Sequence, residues 1–325
     1  MTTQRKLGDS GMTTPPLILG GNVFGWSADR AASFAVLDAF VAGGGRMIDT
    51  ADVYSAWVPG NIGGESETII GEWLVNRGRR DDVLIATKVG MKPDGPGALS
   101  VERIANCVEA SLKRLRIDCI DLYYAHRDDS ETPLEVTLAA FDRLIQAGKV
   151  RAIGASNYTA DRLALAGEIS SEQGLARYTI LQPHYNLLVR ELFEGPLQDL
   201  CLAQGIAVVP YFPLASGFLT GKYRKPSDLE GRARRVAAEK HLNEFGLGVL
   251  SALDRIAAET AATPAQIALA WLSEQPAVTA PIASATSVAQ VEELLAGMRL
   301  KLTPDQLAAL DSASAKPSNL PTRNS

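Results

Sequence analysis

Hydrophobic and polar positions along the chain follow two alternating rhythms. Unbroken apolar runs, rich in β-branched residues, end in a polar or small residue. Each is followed by a stretch whose apolar positions recur three and four residues apart. Eight such runs are found, at residues 17–20, 46–50, 83–88, 120–126, 150–156, 178–182, 206–211 and 278–282. Continuous apolarity predicts parallel strands covered on both faces. Strand and helix alternating over the whole length predicts an α/β architecture.

The amphipathic stretches predict helices at 29–42, 65–76, 100–115, 133–146, 159–171, 196–204 and 264–274, with two more, 288–297 and 304–313, after the last strand. Thr132-Pro133, Thr263-Pro264 and Thr303-Pro304, each with Glu or Gln three residues after the threonine, read as capping boxes with proline in the first turn. Ser287 with Gln290 repeats the device without proline. The second to seventh strands begin about 30 residues apart, the length of one βα unit. The seventh connection, 212–263, is longer and holds a helix near 248–259. Insertions of that length in compact domains are usually functional or disordered.

The expected fold is a single (β/α)8 TIM barrel spanning 1–325. It has an amino-terminal hairpin, a long insertion after strand 7, a C-terminal helix and a flexible tail from 315. The rival, an open doubly wound sheet, would carry a G-x-G-x-x-G turn after its first strand. Here Gly20 to Gly25 reads GGNVFG, which lacks that spacing.

Composition narrows the function classes. A formal net charge of −5 and only short basic runs at 77–80 and 232–235 argue against nucleic acid as a partner. The first is expected to be solvated surface and the second an anion contact. Cys107, Cys119 and Cys201 are odd in number and widely spaced, so buried reduced thiols are expected rather than a disulfide or zinc framework. The polar amino terminus and the absence of a long apolar segment predict a cytoplasmic protein with no membrane partner. Three dispersed histidines offer no metal-ligand spacing.

A barrel of this kind places its active site at the carboxyl ends of its strands. Asp49 closes the second strand, with Tyr54 just beyond, and Lys88 closes the third. His126 closes the fourth, Ser156 and Asn157 the fifth, Gln182 the sixth and Tyr211 the seventh. A lysine ending a buried strand needs a counter-charge, and Asp49 is the obvious one. An ammonium beside a phenol favours phenolate, so Tyr54 is expected to be unusually acidic and usable as a proton donor. Each residue also has a structural reading. Tyr54 could be a surface-loop tyrosine, Lys88 a solvated strand-end cation, Asp49 a turn cap and His126 a satisfied core histidine. His184 could line the mouth or be structural, His241 is expected to be solvent-exposed, and Asp121 to be structural.

The strings IDTADVY at 48–54, TKVG at 87–90, DLYYAH at 121–126, IGASN at 153–157, QPHYN at 182–186 and YFPLASGFLTGKY at 211–223 together resemble the aldo-keto reductases. The resemblance covers nearly the whole chain. It implies reduction of an aldehyde or ketone by hydride transfer from a nicotinamide cofactor, or the reverse alcohol oxidation. Tyr54 would be the general acid, made acidic by Lys88 paired with Asp49, and His126 would orient the carbonyl. Ser156, Asn157 and Gln182 would hold the nicotinamide carboxamide, and Tyr211 would stack under the ring. The segment Leu214 to Lys222, with Ser216 and Gly217, would wrap the pyrophosphate, and Phe212 and Pro213 would also contact the cofactor. Ile282, Ser284, Ala285, Thr286, Gln290 and Glu293, with Arg232, would hold the adenosine end.

The adenosine segment IASATS at 282–287 departs from the family pattern in lacking a basic residue. Recognition of the 2′-phosphate would then rest on backbone amides, hydroxyls or Lys222, Arg224 and the 232–235 cations. NADP (NADPH) is the expected cofactor, with NADH use left open. Phe24, Trp26 and Trp57 are the expected pocket for a small-molecule carbonyl substrate, with Tyr223 a further aromatic at the mouth; all four could equally be ordinary packing. The rival functions are a nicotinamide-binding regulatory subunit with slow turnover and a barrel hydrolase. The latter lacks a second well-placed carboxylate. Oligomeric state is left open.

Overall fold

In the computed structural model, residues 3–91, 97–232 and 234–315 are described. Eight parallel strands form one sheet: β3 (Ile18–Gly20), β4 (Met47–Asp49), β5 (Leu84–Val89), β6 (Ile120–Ala125), β7 (Val150–Ser156), β8 (Tyr178–Gln182), β9 (Ala207–Val208) and β10 (Ile282–Ala283). Each pairs with the next, and β10 pairs with β3. The circle closes through a parallel bridge between Val208 and Val278, with Thr279 N–H donating to the Val208 carbonyl at 2.7 Å and Ile282 N–H to the Pro210 carbonyl at 2.9 Å. The (β/α)8 barrel expected from the pattern is what forms.

Alternate residues of each strand enter two cores, as the period of two requires. Ile18, Met47, Leu84, Leu122, Tyr124 and Ile180 fill the barrel interior. Leu19, Ile48, Ile85, Tyr123 and Leu181 face the helices. A short antiparallel hairpin, β1 (Arg5–Lys6) with β2 (Thr13–Thr14), precedes the barrel. Its Leu7 and Met12 are buried with the interior set, and Arg5 donates to the carbonyls of Ser273 and Thr279.

The helices are α1 (Arg30–Ala42), α2 (Glu65–Arg77), α3 (Val101–Leu115), α4 (Leu134–Gln146), α5 (Ala160–Gln173), α6 (Pro196–Gln204), α7 (Arg235–Glu239), α8 (Glu244–Thr260), α9 (Pro264–Ser273), α10 (Val288–Gly297) and α11 (Pro304–Ser314). The long seventh connection contains 3-10 turns at Ala215–Thr220 and Pro226–Leu229, then α7 and α8. Asn243, not the region of residue 248, starts α8, its side chain accepting from Gly246 N–H at 2.9 Å.

Several local expectations are corrected. The last two strands are shorter than predicted, because Pro210 and Pro281 lack the N–H a ladder needs. Thr263 and Thr303 form complete capping boxes, but Thr132 does not cap α4. Its hydroxyl donates to Asp129 Oδ2 at 2.6 Å, and Asp129 also accepts from Leu99 N–H. Ser287 caps α10, while the Gln290 side chain reaches Thr286 N–H instead of closing the box. Only Cys201 is buried; Cys107 and Cys119 are half-buried, and none of the three is in a disulfide. The basic run at 77–80 is ion-paired rather than free surface, Arg77 and Arg79 with Asp82 and Arg80 with Asp121. Beyond Ala315, the expected tail lies outside the described residues.

Helices α2 and α3 meet at Gly71, where an added Cβ would lie 2.1 Å from the Arg114 carbonyl oxygen. Alanine at a helix interior is worth up to about 1 kcal/mol over glycine, yet overpacking against backbone costs about 1–3 kcal/mol. Gly71→Ala is therefore expected to lower the unfolding free energy, read from a urea titration. A gain in stability would mean the two helices can part without cost.

Candidate active site

The Lys88 side chain is fully buried, one residue from the end of β5. Its ammonium donates to Asp49 Oδ2 at 2.6 Å, to the Thr50 carbonyl at 2.7 Å and to Tyr54 Oη at 2.9 Å. An ammonium has three hydrogens, so all are used. Tyr54 Oη thus accepts from Lys88, and the phenol's own proton is left for another acceptor. Asp49 is held from its other side by Gln182 Nε2 at 2.9 Å.

The loop carrying Tyr54 is pinned by backbone contacts. Ser55 sits in the left-handed region at φ 72° and donates to the Phe24 carbonyl at 2.7 Å. Polar side chains of α2 brace the strand ends from behind. Ser66 bonds the Thr50 hydroxyl at 2.8 Å and the Gly21 carbonyl. Glu67, fully buried, accepts from Thr87 Oγ1 and from Arg114 Nε, both at 2.6 Å. Sequence reasoning missed this pair; a Ser-Glu dipeptide in the first turn of a helix reads as ordinary N-terminal chemistry.

Burial draws the Asp49 carboxyl above its ordinary range and the Lys88 ammonium below it, and their mutual attraction opposes both shifts. The Tyr54 phenol is pushed well up, first by burial and then by the Asp49 carboxylate. The expected acidic phenol is not what this site holds: the counter-ion that makes burial of Lys88 tolerable also offsets its effect on Tyr54. The His126 imidazole is pushed well below its ordinary value by burial, then by Lys88 and Arg127, and is therefore neutral at physiological pH. Its ring meets that of Tyr54 edge-on at 6.0 Å, and its buried Nδ1 has no hydrogen-bond partner among the described residues.

Asp49, Tyr54 and His126 border a cavity of about 370 Å³, together with Asn22, Val53, Trp57, Met91, Arg127, Ser156, Asn157, Gln182, Tyr211 and Phe212, with Lys88 behind them. On one wall the polar groups bond each other. Tyr211 Oη donates to Asn157 Oδ1 at 2.8 Å, Asn157 Nδ2 to the His126 carbonyl at 2.9 Å, and Ser156 Oγ to the Gln182 carbonyl at 2.8 Å. His184 stacks behind Tyr211 with centroids 5.1 Å apart, and burial lowers its imidazole to about 4. His241 is half-buried against Phe218, not exposed as expected. Asp121 is structural as expected, accepting from Ile85 N–H, Arg80 and Arg151.

A second groove, about 460 Å³, shares Phe212, Ile282 and Ser284 with the cavity. Pro213, Leu214, Ser216, Gly217 and Lys222 line it, facing Arg232, Arg234, Thr286, Gln290 and Glu293. Phe212, Ala215, Ser216 and Gly217 all have positive φ, at 52°, 46°, 58° and 90°. For the three non-glycine residues this is strained backbone, of the kind that clusters at ligand-binding loops.

The structure thus brings together the Asp49–Tyr54–Lys88–His126 set and most of the expected groove residues. It does not bring Phe24 or Ala285 to either space, since both are core. Phe24 follows Gly21 in a turn whose carbonyls serve Ser55 and Ser66, so its ring faces inward. Trp57 lines the cavity and is 48% exposed, while Trp26 packs edge-on against it at 5.7 Å. Arg224 is engaged by Asp254 and does not line the groove.

Among known proteins, the chain matches the model of the Aldo/keto reductase family over residues 16–315. It is 34% identical to aldo-keto reductase str7 of Strobilurus tenacellus, over 85% of this chain and 79% of that one. It is 33% identical to aldo-keto reductase yakc of Schizosaccharomyces pombe, whose name specifies NADP(+), over 92% of this chain and 87% of the relative. A probable voltage-gated potassium channel subunit beta of Arabidopsis thaliana is 34% identical over 89% of both chains.

Lys88→Met removes one half of a buried pair and leaves the Asp49 carboxylate without its cation. The expected loss of unfolding free energy is about 3–5 kcal/mol, with a smaller loss when Asp49→Asn is added. Denaturant titrations check this, and a double variant no more stable than the single one would contradict the pairing.

Proposed function

The chain belongs to the aldo/keto reductase family, and on that footing we propose that it reduces a small aldehyde or ketone, or oxidises the alcohol in reverse, with Tyr54 as general acid and NADPH as cofactor. The observation that carries the reading is the contact at 2.9 Å between the buried Lys88 ammonium and Tyr54, which lines the cavity. It occupies the phenol oxygen as acceptor and leaves the phenol proton for a carbonyl oxygen. After transfer, the phenolate stays beside an ammonium, which lowers the cost of the charge. The neutral His126 imidazole supplies a hydrogen bond that fixes the carbonyl.

The residues fit an elongated, anionic dinucleotide. Cavity and groove are contiguous, the groove is lined by Lys222, Arg232 and Arg234, and its far wall is the start of α10. Ser156, Asn157 and Tyr211 would hold the nicotinamide, with Gln182 committed through its amide nitrogen to Asp49. Phe212 to Gly217 and Lys222 would hold the phosphates, and Thr286, Gln290 and Glu293 the adenosine. When bound, the nicotinamide supplies the hydride. Lys222, Arg232 and Arg234 favour NADPH, as does the name of the yakc relative. Residues 212–263 would act as the cofactor cover. The similarity to channel beta subunits favours a second reading, a cofactor-binding regulatory subunit, in which cofactor binds without appreciable turnover.

Tyr54→Phe is expected to retain cofactor binding, read by fluorescence quenching, while reduction of an aldehyde panel falls at least about 100-fold. Unchanged turnover would remove Tyr54 from the mechanism. Wild-type binding without turnover would favour the regulatory reading.

The raised phenol also sets a pH dependence. Reduction uses the protonated phenol, so kcat for reduction is expected to show no loss of the acid form between pH 6 and about 9. Alcohol oxidation needs the phenolate, so its kcat should climb across the same range without a plateau. An oxidation profile that levels off near neutrality would show a depressed phenol instead.

A further inference from the structure

Two charged side chains border the reactive cavity among the described residues, Asp49 and Arg127. Asp49 is neutralised by Lys88, so Arg127 sets the net charge of the space. The carboxylate next to it in the chain, Asp128, is taken by Arg162 through two bonds of 2.8 and 2.9 Å. No carboxylate among the described residues forms an ion pair with Arg127, whereas Arg80, Arg114 and Arg162 each have one. The charge of Arg127 is felt at the reactive centre: burial, then Lys88 and Arg127, lowers the His126 imidazole, and burial raises the Tyr211 phenol against the opposing pull of Arg127.

Val53, Trp57 and Met91 add apolar lining to the same space. A cavity of about 370 Å³ is at the small end for ligand sites. The chain as a whole is acidic, with a formal net charge of −5, yet this mouth offers a guanidinium that no carboxylate among the described residues compensates. A guanidinium fork matches carboxylate and phosphate geometry with two parallel bonds.

We propose that the cavity selects small carbonyl compounds that carry an oxyanion group, carboxylate or phosphate, and that Arg127 binds that group while Tyr54 and His126 meet the carbonyl. The assignment rests on the reductase reading above. Specificity follows from a cation with no ion-pair partner among the described residues: an anionic substrate supplies one, and a neutral substrate does not.

The test compares matched pairs: succinic semialdehyde with butanal for the carboxylate, and glycolaldehyde phosphate with glycolaldehyde for the phosphate. In at least one pair, kcat/KM for the anionic member should exceed the neutral one by tenfold or more, mainly through KM. The pair that shows it identifies the oxyanion. Arg127→Met should reduce that ratio at least tenfold, and Arg127→Lys should restore part of it. Calorimetry reads binding apart from turnover: butyrate should bind more tightly than butyramide, and the preference should vanish in Arg127→Met. Neutral members favoured in both pairs, or a ratio unmoved by Arg127→Met, would overturn the proposal while leaving the reductase reading intact. If none of the aldehydes is reduced, the reductase reading fails, and the butyrate preference still decides the role of Arg127.

Discussion

A single fully buried ammonium organises the mouth of this barrel. Moving a charge out of water costs several kcal/mol even after relaxation, so Lys88 can exist where it does only if every hydrogen finds an acceptor. The fold supplies three: the Asp49 carboxylate and Thr50 carbonyl from the end of β4, and the Tyr54 phenol from the following loop. Those acceptors are in turn held by Gln182 from β8 and Ser66 from α2. The electrostatic requirement of one side chain therefore fixes the relative positions of residues from four elements. It also makes Tyr54 Oη an acceptor toward Lys88.

The barrel makes that arrangement rigid. Parallel strands in register bring residues far apart in sequence to one rim, and the two alternating cores lock each strand against rotation. Gly154 illustrates how tight the fit is. A Cβ there would sit 2.6 Å from the Tyr124 ring and 2.9 Å from the Ile180 carbonyl oxygen. Loops over the mouth hold several left-handed residues, among them Asn157, Phe212, Ala215 and Ser216. Such backbone is sustained only where its surroundings over-determine it. Here it shapes the groove beside the reactive cavity.

Much of this was legible in the sequence, because the strongest signals are physical necessities. Buried parallel strands must be continuously apolar, so residues 150–156 and 178–182 could be delimited to the residue. A lysine at the end of such a run must be paired, so Lys88, Asp49 and Tyr54 could be grouped before any contact was seen. Other features depend on competition that a linear pattern does not display. Thr132 looked like a cap until Asp129 took its hydroxyl. The tyrosine looked acidic because the sequence shows its cation but not how deeply burial and Asp49 act on it. Phe24 and Ala285 sat in the right segments with their side chains facing the core. Arg127 drew no notice because nothing in a sequence says which arginines find no carboxylate among the described residues.

The claim on which the account turns is a statement about proton positions, and neutron diffraction from a deuterium-exchanged crystal at neutral pH reads them directly. The expected map has three deuterons on Lys88 Nζ, one of them aimed at Tyr54 Oη, and the phenol's own deuteron on the cavity side. A neutral amine at Lys88, or a phenol deuteron directed at Lys88, would contradict it.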